Sequence, residues 1–190
     1  MAGHVDIWIE WAIQPILCFV EEVPRYFEQR AISERATGEP SFLPDGKLGK
    51  AQVYTAARSL SLAAVIAQLN ALVDELLLIL ASRALPPEWA LTPRALSRSR
   101  KQLLDAIEQR YCVDVASLPG WSSVEAVRED ANSLKHRGGL SLPESGPAGI
   151  PTFRGVELKA DTLRQTVEET RGWLVALWNA TEGAKHDEAV

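Results

Sequence analysis

Four residues in one short stretch combine hydrogen-bond donors with a group that exchanges protons: Arg128, Asn132, Lys135 and His136. Spacings of four and seven residues return to the same side of an α-helix, so all four fall within one sector. Val124, Val127, Ala131 and Leu134 form the neighbouring apolar stripe. A donor-rich strip at the edge of a surface that must be buried can hold an anion. Arg128 would supply a two-pronged guanidinium matched to phosphate oxygens, and Lys135 a compact positive charge. His136 titrates near neutral pH and suits a general base or acid, while Asn132 can orient the imidazole or a phosphate oxygen. This chemistry requires no metal and no cofactor.

A structural reading explains part of the same pattern. His136 and Arg137 stand in the last turn before Gly138 and Gly139. The helix dipole and the unpaired terminal carbonyls favour cations there by about 0.3–1 kcal/mol each. Arg128 can also pair with Glu125, one turn earlier.

The elements that must carry this strip are helical. Over residues 6–36 Ile7, Trp8, Trp11, Ile16, Phe19, Val20, Val23 and Phe27 recur near helical spacing, and Pro15 and Pro24 predict a kink or break. Residues 37–49 read as a loop, and 49–83 as the longest helix, apolar nearly all round. Such a helix is central in its bundle or buries a face against another subunit. Asp74 and Glu75 on it either face an interface or are paired, inside the bundle or against Arg128 and Lys135, with a salt bridge inside the bundle the expected use. Thr92 and Pro93 predict the opening of a third helix through Tyr111, with Leu96, Leu103, Leu104 and Ile107 inward. Ser122 or Ser123 would cap the fourth, and Gly138–Gly139 would stop it. Residues 140–156 are rich in Pro and Gly and form a lid over the strip or a plain excursion. The last helix spans 159–181, with Leu163, Val167, Trp173, Leu174, Leu177 and Trp178 apolar. The expected architecture is an all-α bundle of about five helices with one long central helix. Residues 1–183 would form a single domain and 184–190 a frayed tail.

With 46% hydrophobic and 24% charged residues and a formal net charge of -5, the chain reads as globular, not as a protein that coats nucleic acid through bulk charge. Cys18 and Cys112 have no metal-ligand spacing and read as buried thiols, or as one buried and one on the surface. The first residues lack the pattern of a secretory signal, which suggests a cytoplasmic protein. Gln68, Asn70, Asp74 and Glu75 interrupt the most apolar stretch, so no membrane span is expected. The six tryptophans are most simply core and interface aromatics.

Taken with its helical setting, the run Arg128-Glu-Asp-Ala-Asn132-Ser-Leu-Lys135-His136-Arg-Gly138-Gly139 resembles the motif of HEPN-like domains. These are small helical bundles common in bacterial toxin, antitoxin and phage-defence systems. In that family an Arg and a His lie late in one helix, with a polar residue nearby and a further helix following. Here the Arg-to-His gap is longer than usual, and Asn132 stands one turn after Arg128 instead of beside it. The added turn keeps both groups on one face.

The resemblance implies a metal-independent endoribonuclease or toxin-like defence protein that cleaves RNA by attack of the 2′-hydroxyl on the neighbouring phosphate. His136 would be base or acid, Arg128 would stabilise the phosphate charge, and Asn132 would complete the catalytic set. Lys135 and Arg137 would bind substrate. The reaction uses both a base and an acid, and one such histidine per chain supplies one group, so a homodimer would bring two strips together. Some members are inactive, which implies the alternative of a non-catalytic module binding RNA or a partner protein, as an antitoxin or defence accessory does. Arg98 and Lys101, with Arg94 and Arg100, could extend the phosphate path. A solvated helix face is the simpler reading of these four.

Overall fold

The computed structural model describes residues 3–84, 99–137, 144–145, 151–152 and 159–187, with side chains at 7–84, 99–135 and 159–182. Five α-helices among them make an all-α bundle: α1 Gly3–Ala36, α2 Lys50–Ala84, α3 Arg100–Tyr111, α4 Trp121–Arg137 and α5 Ala160–Asp187. A 3₁₀ turn, Val115–Ser117, precedes α4. Glu144–Ser145 pairs antiparallel with Pro151–Thr152 inside the run expected to be a lid or excursion. The rest of that run lies outside the described residues, as do Trp89, Arg94, Leu96 and Arg98.

α1 stays helical through Pro15 and Pro24, so the break that was one of the two expectations there does not occur. Each proline removes an intrahelical hydrogen bond at a cost of about 3 kcal/mol. Around them Ile13, Ile16, Leu17 and Val20 are all buried. At about 1.5–3 kcal/mol for each such side chain, burial offsets the loss and the helix continues.

α3 starts at Arg100. Ser99 is extended (φ -68°, ψ 153°), and its hydroxyl accepts from the Gln102 N–H while the Gln102 side chain accepts from the Ser99 N–H. This capping box breaks the helix expected to run continuously from Thr92. α5 continues through Gly183 to Asp187, past the expected end near Thr181 and into the expected tail.

The chain forms two compact units. The first comprises residues 1–13, 69–126 and 166–190. Here α2 is central: Leu69, Val73, Leu76, Leu77 and Ala81 are fully enclosed. Trp173 is also enclosed, donating from Nε1 to the Val115 carbonyl at 3.4 Å and lying 5.7 Å from the Trp121 ring. Arg171 pairs with Glu10, and Arg83 reaches Glu182 at 3.3 Å with its guanidinium 4.8 Å over the Trp178 ring.

Arg100 belongs to the same unit and is not the solvated cation that its neighbours suggest. Its side chain is 7% exposed. It donates to Asp74 Oδ1 from Nε at 2.8 Å and from NH2 at 2.6 Å, and to Asn70 Oδ1 at 2.7 Å. Asn70 in turn donates to Asp74 Oδ2 at 3.1 Å. Asp74 is therefore committed to Arg100, not to Arg128 or Lys135, and Glu75 is exposed.

The second unit comprises residues 14–68 and 127–165. Leu17, Val20, Leu62, Val65, Ile66, Val127 and Leu163 are buried in it. Before α2 the chain turns tightly: the Gly49 N–H donates to the Ser41 carbonyl at 2.9 Å, and a Cβ on Gly49 would meet the Pro40 carbonyl oxygen at 2.1 Å. In this unit α2 is apolar but not enclosed, with Leu60 71% and Val53 50% exposed. α2 is also long and apolar enough, by length and composition, to cross a membrane, and 44% of its most apolar window is buried inside the protein. Cys18 and Cys112 are both exposed, contrary to the expectation of at least one buried thiol.

Candidate functional site: a polar strip on α4

α4 begins two to three residues earlier than a Ser122 or Ser123 cap predicts, at Trp121. Pro119 and Gly120 turn the chain, with Gly120 at φ +88°, and the Gly120 carbonyl accepts from Ser123 and Val124 at 3.1 and 3.2 Å. Ser122 and Ser123 are thus first-turn residues rather than caps. Ser123 is buried, and its hydroxyl donates to Glu169 on α5. A Cβ on Gly120 would lie 2.3 Å from the Glu169 carbonyl oxygen, so α4 starts where only glycine fits.

From this anchored start the helix faces the predicted way. Val124 and Val127 are fully buried, Ala131 and Leu134 partly so, and Ser133 is buried beside them. Arg128, Asn132 and Lys135 are all exposed. The fold therefore brings these three to one solvent-facing side of α4. Among the described residues the side chains of Asn132 and Lys135 make no hydrogen bond or ion pair, whereas Arg128 is engaged. His136 and Arg137 complete the helix, and their side chains lie outside the described ones. Lys101 is exposed on α3, in the first unit. Arg98 lies outside the described residues.

The face is mixed in sign. At about 100° per residue, Glu125 and Glu129 share the sector of Arg128, Asn132 and His136. Asp130, half-buried on the far flank of the apolar stripe from these residues, has its carboxyl pushed above the usual range, chiefly by loss of water and then by the neighbouring Glu129 charge. The arrangement offers two uncommitted donors, an Arg and carboxylates that can order them. That combination can contact a phosphate or a polar backbone in water. Among the described residues no group of His, Cys, Asp or Glu converges as a metal would require.

A second polar cluster carries no local sequence signal. Arg25 on α1, Arg58 on α2, and Lys159 and Arg164 at the start of α5 line a cavity of about 740 Å³ in the second unit. These residues are scattered over 140 positions of chain, and only folding collects them. No family model, curated protein or solved structure matches this chain.

Proposed function

We propose that this protein acts on RNA through the α4 strip, as a metal-independent endoribonuclease of toxin or defence type. Arg128, Asn132 and Lys135 hold the phosphate backbone and His136 transfers the proton. The observation that carries this reading is the exposure of Asn132 and Lys135, uncommitted, on the same side of α4 as Arg128. Arg100, which ties α3 to α2, instead donates to Asp74 and Asn70.

The 2′-hydroxyl of the substrate loses a proton as it attacks the adjacent phosphorus, and the departing 5′-oxygen gains one. A single His136 serves one of these transfers, so a second copy of the chain, presenting its own α4, supplies the other. Arg128 neutralises charge growing on the non-bridging oxygens, worth about 2.7–4 kcal/mol for one well-placed donor of this kind.

The open, mixed-sign character of the face favours a second reading from a different class: a non-catalytic module that binds RNA or a partner protein through the same strip. Incubation of the purified chain with single-stranded RNA under chelating conditions separates the two. Cleavage that disappears in His136→Ala while the fold is retained supports the nuclease. Binding without cleavage, weakened by Lys135→Ala but not by His136→Ala, supports the module. Neither binding nor cleavage would remove both.

A further inference from the structure

α1, α3, α4 and α5 all present charged side chains to solvent, whereas between Lys50 and Glu75 no exposed position of α2 is charged. The exposed residues there are valine, leucine and alanine, with one serine and one glutamine. Val53, Leu60 and Ala67 recur every seven residues, and Ala64 and Ala71 each stand four residues after one of them, so the five share one side of the helix. Leu60 is 71% exposed and Val53 50%, and the three alanines are exposed with them. α2 is one continuous helix from Lys50 to Ala84, so these positions are fixed by the helix itself. A single leucine in water is ordinary, but a charge-free heptad stripe with a leucine at its middle marks a surface that something covers.

Opposite charges close the two ends of the stripe. Lys50 and Glu75 are both exposed on the same flank of it, and among the described residues neither side chain makes an ion pair. Asp74, next to Glu75, is already held by Arg100, so Glu75 is the acid that faces outward. This polarity discriminates between occupants. A lipid surface selects a helix whose polar flanks are rich in Lys and Arg, which the flanks of this stripe are not. A parallel copy of α2 would set lysine against lysine and glutamate against glutamate. An antiparallel copy, with its two-fold axis between Leu60 and Ala64, brings Lys50 close to the partner's Glu75 at both ends. The same register sets Leu60 against the partner's Ala64, large against small.

We propose that this face of α2 is a self-association surface, through which two copies of the chain pair antiparallel about a two-fold axis. At 1.5 Å per residue the stripe from Lys50 to Glu75 is about 38 Å long, and at a helix width of about 10 Å it offers about 380 Å². That falls short of the roughly 800 Å² each partner gives to a standard interface, so the pair is reversible and its population depends on concentration. A second copy is also what two proton transfers at α4 require, yet the pairing rests on α2 alone and stands whether or not α4 cleaves RNA.

Sedimentation equilibrium of the full chain over a concentration series tests the proposal, with a circular dichroism melt of every variant. A monomer–dimer equilibrium is expected, weakened about tenfold or more by Leu60→Glu at an unchanged melt, since Leu60 is mostly exposed and supports no core. Lys50→Glu and Glu75→Lys should each weaken pairing about threefold or more, and the double exchange should bring it back near the natural value. Lys135→Ala on α4 should leave it unchanged, and pairing by a chain that neither binds nor cleaves RNA would remove the α4 reading alone. A chain that stays monomeric, pairing untouched by Leu60→Glu in a folded variant, a double exchange no better than either single, or loss on Lys135→Ala would each overturn the proposal. So would a monomer that floats with neutral phosphatidylcholine vesicles and is released by Leu60→Glu, which would assign the face to lipid.

Discussion

Arg100 and Lys135 are both cations on partly apolar helices, and they end in opposite environments. Arg100 is 7% exposed and spends three donor contacts on Asp74 and Asn70, which are themselves hydrogen-bonded to each other. Lys135 is exposed and spends none among the described residues, and Asn132 on the same side of α4 does likewise. Composition alone would rank them the other way, because Arg100 stands in the more basic run. Arg100 is thus part of what holds the first unit together, while Lys135 and Asn132 leave their donors on the surface of α4.

The first way to break this contrast is to remove one partner of Arg100. Asp74→Ala leaves an enclosed guanidinium without its carboxylate and should cost about 3 kcal/mol, the lower end for a buried pair because Asp74 is itself half-exposed. Urea denaturation checks it, and a loss under ~1 kcal/mol would place Arg100 with the solvated cations. Next is the anchor of α4: Gly120→Ala forces a side chain onto a φ of +88° and against the Glu169 carbonyl, at about 2 kcal/mol or more in the same assay.

At the other pole, Lys135→Ala and Asn132→Ala should change stability by no more than about 0.5 kcal/mol. A larger loss would show that these side chains serve the fold after all. The smallest expected effect is at Asp130. Its carboxyl is raised in the folded state, so the native protein binds the extra proton, and stability falls as pH rises from the ordinary aspartate range through the raised value. Asp130→Asn should remove that fall, giving a slightly higher Tm at pH 7 and none of the difference in acid, where Asp130 is protonated in both states.

The helical architecture was legible because it rests on patterns repeated many times, such as the apolar face of α1 and the unbroken Leu and Ala run of α2. Boundaries were less legible, since each depends on one local event. Gly120 rather than Ser122 starts α4 because the chain there passes within contact of Glu169, a neighbour distant in sequence. Pro15 and Pro24 stay inside α1 because buried aliphatics outweigh their lost hydrogen bonds. On α4 the facing of Arg128, Asn132 and Lys135 followed from spacing alone, but their freedom or engagement did not, because partners on other helices leave no mark on periodicity. The same blindness hid the commitment of Arg100 and the cavity lined by Arg25, Arg58, Lys159 and Arg164.

The central claim, that the uncommitted side of α4 meets the phosphates of RNA, is tested most directly by the salt dependence of RNA binding. Affinity for a single-stranded RNA, measured across a series of salt concentrations, is compared between the natural chain and Lys135→Ala. The account predicts binding about three- to fivefold weaker at low salt and a log–log salt slope shallower by about 0.7–1, the signature of one lost phosphate contact, at an unchanged Tm. Equal affinity and equal slope in the two proteins, or no RNA binding by the natural chain, would contradict it.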